Sequence, residues 1–436
     1  MRRPTRSMTA ALLLVTGAVV ASVLPNQSNP SINSSTLNPA LGAESTSLYC
    51  VGISAAGSPG SGGAKFWNSS SERRHLDLAV TNDTSVLASS ASIEPNDTLF
   101  VPVGATPNGS VSVRAQVDGS GVVGSLFTAG PDSTSVPCQG EGVTDWYASG
   151  LGTANGMTTR LTLVNPSATP TVIDISTQSS LGYLAPAPYQ GLVIAANGQL
   201  TLDLGRQVVE AKSLAVHVTA LRGSFVGSAL IVISKYASIL TGQPLPATEA
   251  YFASVNTNGD ATESINLYNP LEVTAHVKLK LQVPGFTIAP ISIDVEPSAT
   301  IGVTLVPDTR VPAAGWATLR VSSPQGIVAT LYSAGNGYAR LSSPTLAGTA
   351  LAWISAMAHN GTVRIAPVQG KNVPVTFTYF QGRRTITTTM KASAGVPITP
   401  PDAWIAANYG IVSAGTPLLM QGVVGTNGLE SGLNGR

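Results

Sequence analysis

Four histidines, two cysteines, five tryptophans and one glycine-rich hexapeptide are the parts of this 436-residue chain whose types and spacing bear on chemistry. His75, His217, His276 and His359 stand far apart. None belongs to an H-E-x-x-H or other short ligand pair, so no metal centre is written in the sequence. His217 lies in "AVHVTA", where alternation turns it toward solvent or a strand partner rather than a substrate. Catalytic triads are defined by geometry rather than chain order. However, no G-x-S-x-G elbow appears, and serine is too common for any one to stand out. "GSGVVG", Gly119 to Gly124, fits G-x-G-x-x-G. A dinucleotide site needs a helix directly after that loop, and the "SLFTAGP" that follows reads as a strand. "NTNGD", Asn256 to Asp260, alternates oxygen ligands but lacks the acidic density and distal Glu of a calcium loop. A plain Asn-Gly turn accounts for it. The expectation is a protein with no catalytic set, no cofactor and no metal.

Trp67, Trp146, Trp316, Trp353 and Trp404 have two readings. Aromatic rings offer large contact area with a polar handle and suit sugar stacking, and they also fill cores at domain starts. Trp404 and Tyr409, near the short last unit, are the pair expected to be exposed and to face a ligand. "GRR", Gly382 to Arg384, reads as a solvated hairpin tip.

Cys50 and Cys138 are an even pair 88 positions apart. In an oxidising compartment they suggest a disulfide, with buried free thiols as the rival reading. Closing a loop of that length contributes on the order of 4 kcal/mol in the chain-entropy model.

The elements that must position these residues follow from composition. Hydrophobic residues make up 43% of the chain and charged residues only 10%, against about 25% in an average soluble protein. Lys plus Arg number 23 and Asp plus Glu 22, so no net field draws in nucleic acid. Val and Thr favour strands, Gly and Pro punctuate turns, and long runs of helix formers are missing.

The N-terminus reads as an address. Arg2, Arg3 and Arg6 precede an uncharged run, Met8 to Leu24. That run suits either a cleaved signal peptide or an uncleaved membrane anchor, and both put the rest of the chain outside the membrane. Residues 25–45, rich in Asn, Ser and Pro, read as a flexible linker.

Beyond the linker the chain repeats itself. Tyr49, Tyr147, Tyr251 and Trp353 open successive units, 98, 104 and 102 residues apart. Alternating strands end in "LTLVNP" (Leu161 to Pro166) and "INLYNP" (Ile265 to Pro270), with a looser echo in "LAVTND" (Leu78 to Asp83). Alternation gives each strand one core-facing side, and Asn-Pro ends it in a turn. Roughly seven short strands per unit fit a sandwich. The fold expected is all-β: tandem Ig-like β-sandwich repeats of about 100 residues after an N-terminal signal or anchor helix. The units are placed at 46–142, 143–246, 247–348 and, shorter, 349–436. Fewer, larger β-domains sharing strands are the alternative. A propeller fits less well, because its blades repeat at about 40–50 residues.

The "DWY" opening, the L-x-L-x-N-P strands and the G-x-V-x-x-x-L closings, together with the N-terminal run, resemble a family of exported, often membrane-anchored actinobacterial proteins known as a domain of unknown function. The resemblance covers nearly everything after Thr46 and implies an extracytoplasmic place in a Gram-positive envelope. It carries over no functional residue. Tyr49-Cys50 departs from its aromatic-pair opening, and the fourth unit is truncated. The expected role is a non-enzymatic envelope scaffold or binding module whose partner is an envelope protein or glycan. A cell-wall glycan binder working through exposed aromatics and a hydrolase with a dispersed site are the alternatives. Non-reducing peptide mapping of exported protein is expected to recover Cys50 and Cys138 in one linked peptide; two free thiols would contradict the pairing.

Overall fold

The computed structural model describes residues 31–32, 46–53, 62–103, 110–128, 135–259, 261–306, 308–335, 338–345, 347–355, 361–381, 384–407 and 409–424. The signal or anchor at 1–24, most of the linker at 25–45, Asp260, His359 and Gly382-Arg383 lie outside these residues. Within the linker, Ser31–Ile32 pairs antiparallel with Ser355 and Ile354. Among the described residues no helix is long and apolar enough to cross a membrane.

The second unit shows the plan. Its strands run Asp145–Leu151, Met157–Val164, Thr171–Ser179, a fourth in two pieces (Gly182–Leu184 and Leu192–Ile194), Gln199–Asp203, Leu214–Arg222, Val226–Ile233 and Tyr236–Leu240. One antiparallel sheet has the order first–sixth–third–fourth, and the other fifth–second–seventh–eighth. Alternation explains the faces: along Thr171–Ser179, Ile173 and Ile175 are buried while Val172, Asp174 and Ser176 are not. Between the sheets sit Trp146, Leu161, Leu163, Ile173, Ile175 and Val218, all buried.

The first unit repeats this order strand for strand, from Thr46–Ile53 to Ser135–Pro137. The third does the same, except that its sixth and seventh strands are one continuous strand, Trp316–Gly335, which pairs in both sheets. The fourth keeps the first sheet, with Ala347–Ser355, Val373–Gln381 and Arg384–Ala392 around the early part of Tyr409–Val424. Its second sheet is reduced. Gly361–Pro367 pairs with the later part of Tyr409–Val424, and the fifth strand survives as a single bridge between Ile365 and Ile398. A short helix, Asp402–Ala406, packs where the rest would lie. Each unit has its own apolar core. Cys50 and Cys138 are disulfide-bonded in the first, with Cα atoms 4.3 Å apart, so the bond ties the first strand to the segment after the eighth.

The repeated Asn-Pro has a structural cause. Asn165 is buried at the end of the second strand, and its amide donates to the carbonyls of Thr169, Ile194 and Ala195 at 2.8, 3.1 and 3.0 Å. Asn269 donates to Val273, Val295 and Glu296 at 2.8, 2.9 and 3.1 Å. Their side-chain oxygens accept from the amides of Ser167 and Leu271. One side chain therefore closes its own turn and satisfies buried carbonyls of the loop leading to the fifth strand, groups that would otherwise be orphaned. That loop turns through a left-handed residue, Asn197 (φ 54°) or Ser298 (φ 50°).

In the first unit this role belongs to Asn68, which donates to Glu72 and Ile93 at 2.7 and 3.0 Å. The expected echo at Leu78 to Asp83 is thus displaced. Leu78 to Thr81 lie on the third strand, and Asn82 caps its own exposed turn by accepting from Thr84 and Ser85. In the fourth unit the second strand runs out through Ala366 and Pro367 with no asparagine at its end. Asn165→Ala is expected to lower the stability of the second unit by about 3 kcal/mol, and Asn82→Ala by under ~1 kcal/mol. Urea unfolding of the two variants checks this, and equal losses would remove the distinction.

Candidate functional site

The residues singled out for chemistry do not converge. His75 lies across from Ser92 and beside Asp77 on exposed strands. His276 Nδ1 is 2.7 Å from Asp294 Oδ1, also exposed. His217 Nε2 lies 2.9 Å from Asp145 Oδ1, and its ring stacks on Tyr147 at 4.2 Å between centroids. Thr219 also donates to Asp145. Burial acts to raise the Asp145 carboxyl, but hydrogen bonds from His217, Thr219 and Thr144 outweigh it and hold the group below the usual carboxylate range. Each of these three histidines has an aspartate of its own. Among the described residues no group of three or more His, Cys, Asp or Glu is placed to hold a metal. Gly119 to Gly124 turns from one strand into the next, Val122–Thr128. Asn258 closes a turn by accepting from the Ala261 amide.

Trp404 and Tyr409 are not an exposed pair. Trp404 is fully buried, edge-on to Phe377 at 5.5 Å, and donates to the Thr378 carbonyl. It lies on the short helix and fills the core that the reduced second sheet leaves open. Tyr409 is half-buried against Trp67 and Phe380, at 5.2 and 5.8 Å, and donates to the Asn96 carbonyl at 2.6 Å. Asn96 and Trp67 belong to the first unit, so Tyr409 is part of a joint between the first and fourth units. Trp67 and Trp146 are also fully enclosed, and Trp146 donates to Thr241 at 2.6 Å.

That joint has three counterparts. In each, the outer side of one unit's first strand packs on the second and seventh strands of the next unit. Tyr49 and Val51 cluster with Val164 and Val226. Tyr147 clusters with Ala215, Tyr268 and Val328. Ala352 of the fourth unit clusters with Trp67 and Val123 of the first. The receiving positions are equivalent by register, since Val164 pairs with Val226, Tyr268 with Val328 and Trp67 with Val123.

Polar contacts repeat as well. Gln139 donates to Gly227 O, and Gln243 accepts from Ala329 N, both at 2.9 Å. Ser228 donates to Val51 O at 2.8 Å, Ser149 to Thr330 at 3.1 Å, and Ala253 N to Gln421 at 2.8 Å. Joints run from unit one to two, two to three, three to four and four back to one, so four sandwiches close into a ring. The sequence predicts a row of domains. Closure was missed because the fourth-to-first joint pairs residues more than 300 positions apart. The signal that could have shown equivalent joints was present: Tyr49, Tyr147 and Tyr251 stand 19, 18 and 18 residues before Asn68, Asn165 and Asn269.

The third sandwich also buries charge near its contact with the fourth. Glu263 has no exposed surface and accepts from Ser333 Oγ at 2.6 Å and Asn256 N at 3.3 Å. Desolvation raises its carboxyl to about 7, against the opposing pull of Arg340 and these hydrogen bonds. The folded protein therefore binds more protons than the unfolded chain between its ordinary value, 4.5, and about 7. Stability carried by this group is present at the acid end of that window and is lost as pH rises through it. Glu263→Gln is expected to flatten the pH dependence of thermal unfolding between those limits. An unchanged profile would overturn the assignment. Trp404→Ala is expected to cost the fourth unit about 3–5 kcal/mol, read by calorimetry, with intrinsic affinity for any ligand of the other units unchanged.

A family model described as "Family of unknown function (DUF5719)" matches residues 133–408. The match spans the second and third sandwiches and most of the fourth; the first sandwich, which the expected resemblance included, lies outside it except for its eighth strand, Ser135–Pro137. No curated protein matches. Among solved structures, a chain titled "Crystal structure of tetra-tandem repeat in extending region of large adhesion protein" is similar at 9% identity and a TM-score of 0.15, over 82% of this chain and 93% of that one. At that score the likeness adds nothing to the architecture described above. With more than half of its residues matched, the chain belongs to the family of unknown function DUF5719.

Proposed function

We propose that this protein is a non-enzymatic scaffold of the cell envelope, held outside the membrane by its N-terminal segment or released after cleavage of that segment, in an actinobacterium-like Gram-positive setting. The observation that carries the reading is the ring. Four sandwiches joined head to tail through equivalent faces form a stiff frame, and their loops become a fixed array for a protein or glycan partner. Export is supported by Arg2, Arg3 and Arg6 ahead of Met8 to Leu24, and by the buried Cys50–Cys138 bond, which suits an oxidising compartment. The dispersed histidines support a role without catalysis.

A glycan-binding reading has its own observation. Tyr183 is 64% exposed between Leu181 and Leu184, also exposed, on the hairpin joining Thr171–Ser179 to Gly182–Leu184. Tyr183 replaces Trp404 and Tyr409 as the sugar-facing candidate.

Ala352→Arg puts a charge into the fourth-to-first joint and is expected to open the ring while three sandwiches remain folded. Small-angle scattering should then show a larger radius of gyration, and crosslinking in intact envelopes should lose partners that the wild type captures. Turnover in a broad hydrolase screen would overturn the non-enzymatic reading. Sugar binding on a glycan array that is lost in Tyr183→Ala would favour the second reading.

A further inference from the structure

We propose that the joint between the third and fourth sandwiches holds a small oxyanion of the carboxylate or phosphate class, gripped by Arg340 and Arg364. In a chain where only 10% of residues are charged, this joint encloses two guanidinium groups and one carboxylate. Two of these residues share a cross-strand row through a serine: Glu263 pairs with Ser333, and Ser333 with Arg340. The row continues into the fourth unit. Asn256 donates to Glu263 and pairs across the sheet with Trp316, and the Arg364 guanidinium lies 4.8 Å over the Trp316 ring.

The donors outnumber their acceptors. Nε and Nη2 of Arg340, and Nε of Arg364, are shut off from solvent and have no hydrogen-bond partner. Arg364 keeps one partner, Thr399, through Nη1. Among the described residues no carboxylate lies within ion-pair distance of either guanidinium, and the Glu263 oxygens are already engaged by Ser333 and Asn256. Enclosed cations need a counter-charge. Glu263 supplies it poorly, because burial keeps it partly protonated near neutral pH. Arg340 in turn adds to the desolvation that pulls Arg364 down to about 10.

The arrangement of the unpaired donors points to their acceptor. Nε and Nη2 form one edge of a guanidinium, two parallel N–H groups that match the two oxygens of a carboxylate or phosphate. Arg340 presents that edge unpaired, and Arg364 adds a third donor. The rings of Tyr338 and Trp316 lie 5.8 and 4.8 Å from the two guanidinium carbons and help to hold them. Arg340 as a residue is partly exposed, whereas Arg364 is only 8% exposed. One arginine comes from the third unit and one from the fourth, so a bound oxyanion also ties this joint of the ring. The site is independent of the scaffold role and stands or falls by itself.

The test is isothermal titration of the full chain with sodium phosphate, and separately with sodium acetate, at ionic strength matched by sodium chloride. Saturable one-site binding of either anion to the wild type is expected, and the arm that binds names the class. Arg340→Met and Arg364→Met should each weaken it by about tenfold or more, while Arg73→Met, on an exposed pair with Glu94, leaves it unchanged. Absence of saturable binding of both anions to the wild type overturns the proposal, and so does undiminished affinity in both arginine variants. Should either methionine variant fail to fold, the wild-type titration and Arg340→Lys, which keeps the charge but not the paired N–H edge, decide it: weakened binding supports the site, and undiminished affinity overturns it.

Discussion

Each sandwich hides its inner faces within itself and leaves two outer faces uncovered: one side of the first strand, and the surface of the second and seventh strands. These faces carry Tyr49, Val51 and Tyr147 on one side, and Val164, Val226, Tyr268 and Val328 on the other. Apolar area of that kind must leave water, and a neighbouring copy offers the complementary face. The contact is head to tail, so it either propagates or closes. Here it closes after four units, with Ala352 against Trp67 and Val123. The ring, the burial of Trp67 and the half-burial of Tyr409 all follow from that one contact.

The units differ in how they satisfy their internal polar groups. Asn68, Asn165 and Asn269 each tie a strand end to the loop before the fifth strand, and the amide does so where a backbone partner is lacking. The fourth unit has no such residue and has lost most of the fifth strand as well. The two losses belong together, since without a loop to hold there are no carbonyls for the asparagine to satisfy. Trp404 occupies the vacated core instead. An aromatic that looks like a ligand platform in the sequence is thereby a structural plug.

Charge is scarce in this chain, and its placement is uneven. The His75–Asp77 and His276–Asp294 pairs lie on solvent-facing sides of their sheets, where screening makes them weak. Glu263, Arg340 and Arg364 sit at a joint, where low dielectric makes each proton and each missing partner matter. The part of the ring that joins the complete third sandwich to the reduced fourth is therefore its most electrostatically sensitive point.

The all-β class, the repeat near one hundred residues and the strand-ending role of Asn-Pro were legible in the sequence, because alternation and turn chemistry act over a few neighbouring residues. The pairing of Cys50 with Cys138 was legible as well, there being only two cysteines to join. The counterpart of Asn165 in the first unit was not, since "LAVTND" imitates the motif locally while Asn68 holds the equivalent place in the sheet. Nor was the fate of Trp404 and Tyr409 or the meeting of Arg340 with Arg364. By itself the sequence determined which side of each strand turns inward, a property of period two. Only the tertiary structure decided which outward sides meet, because that depends on rigid bodies hundreds of residues apart burying faces that no local pattern can match.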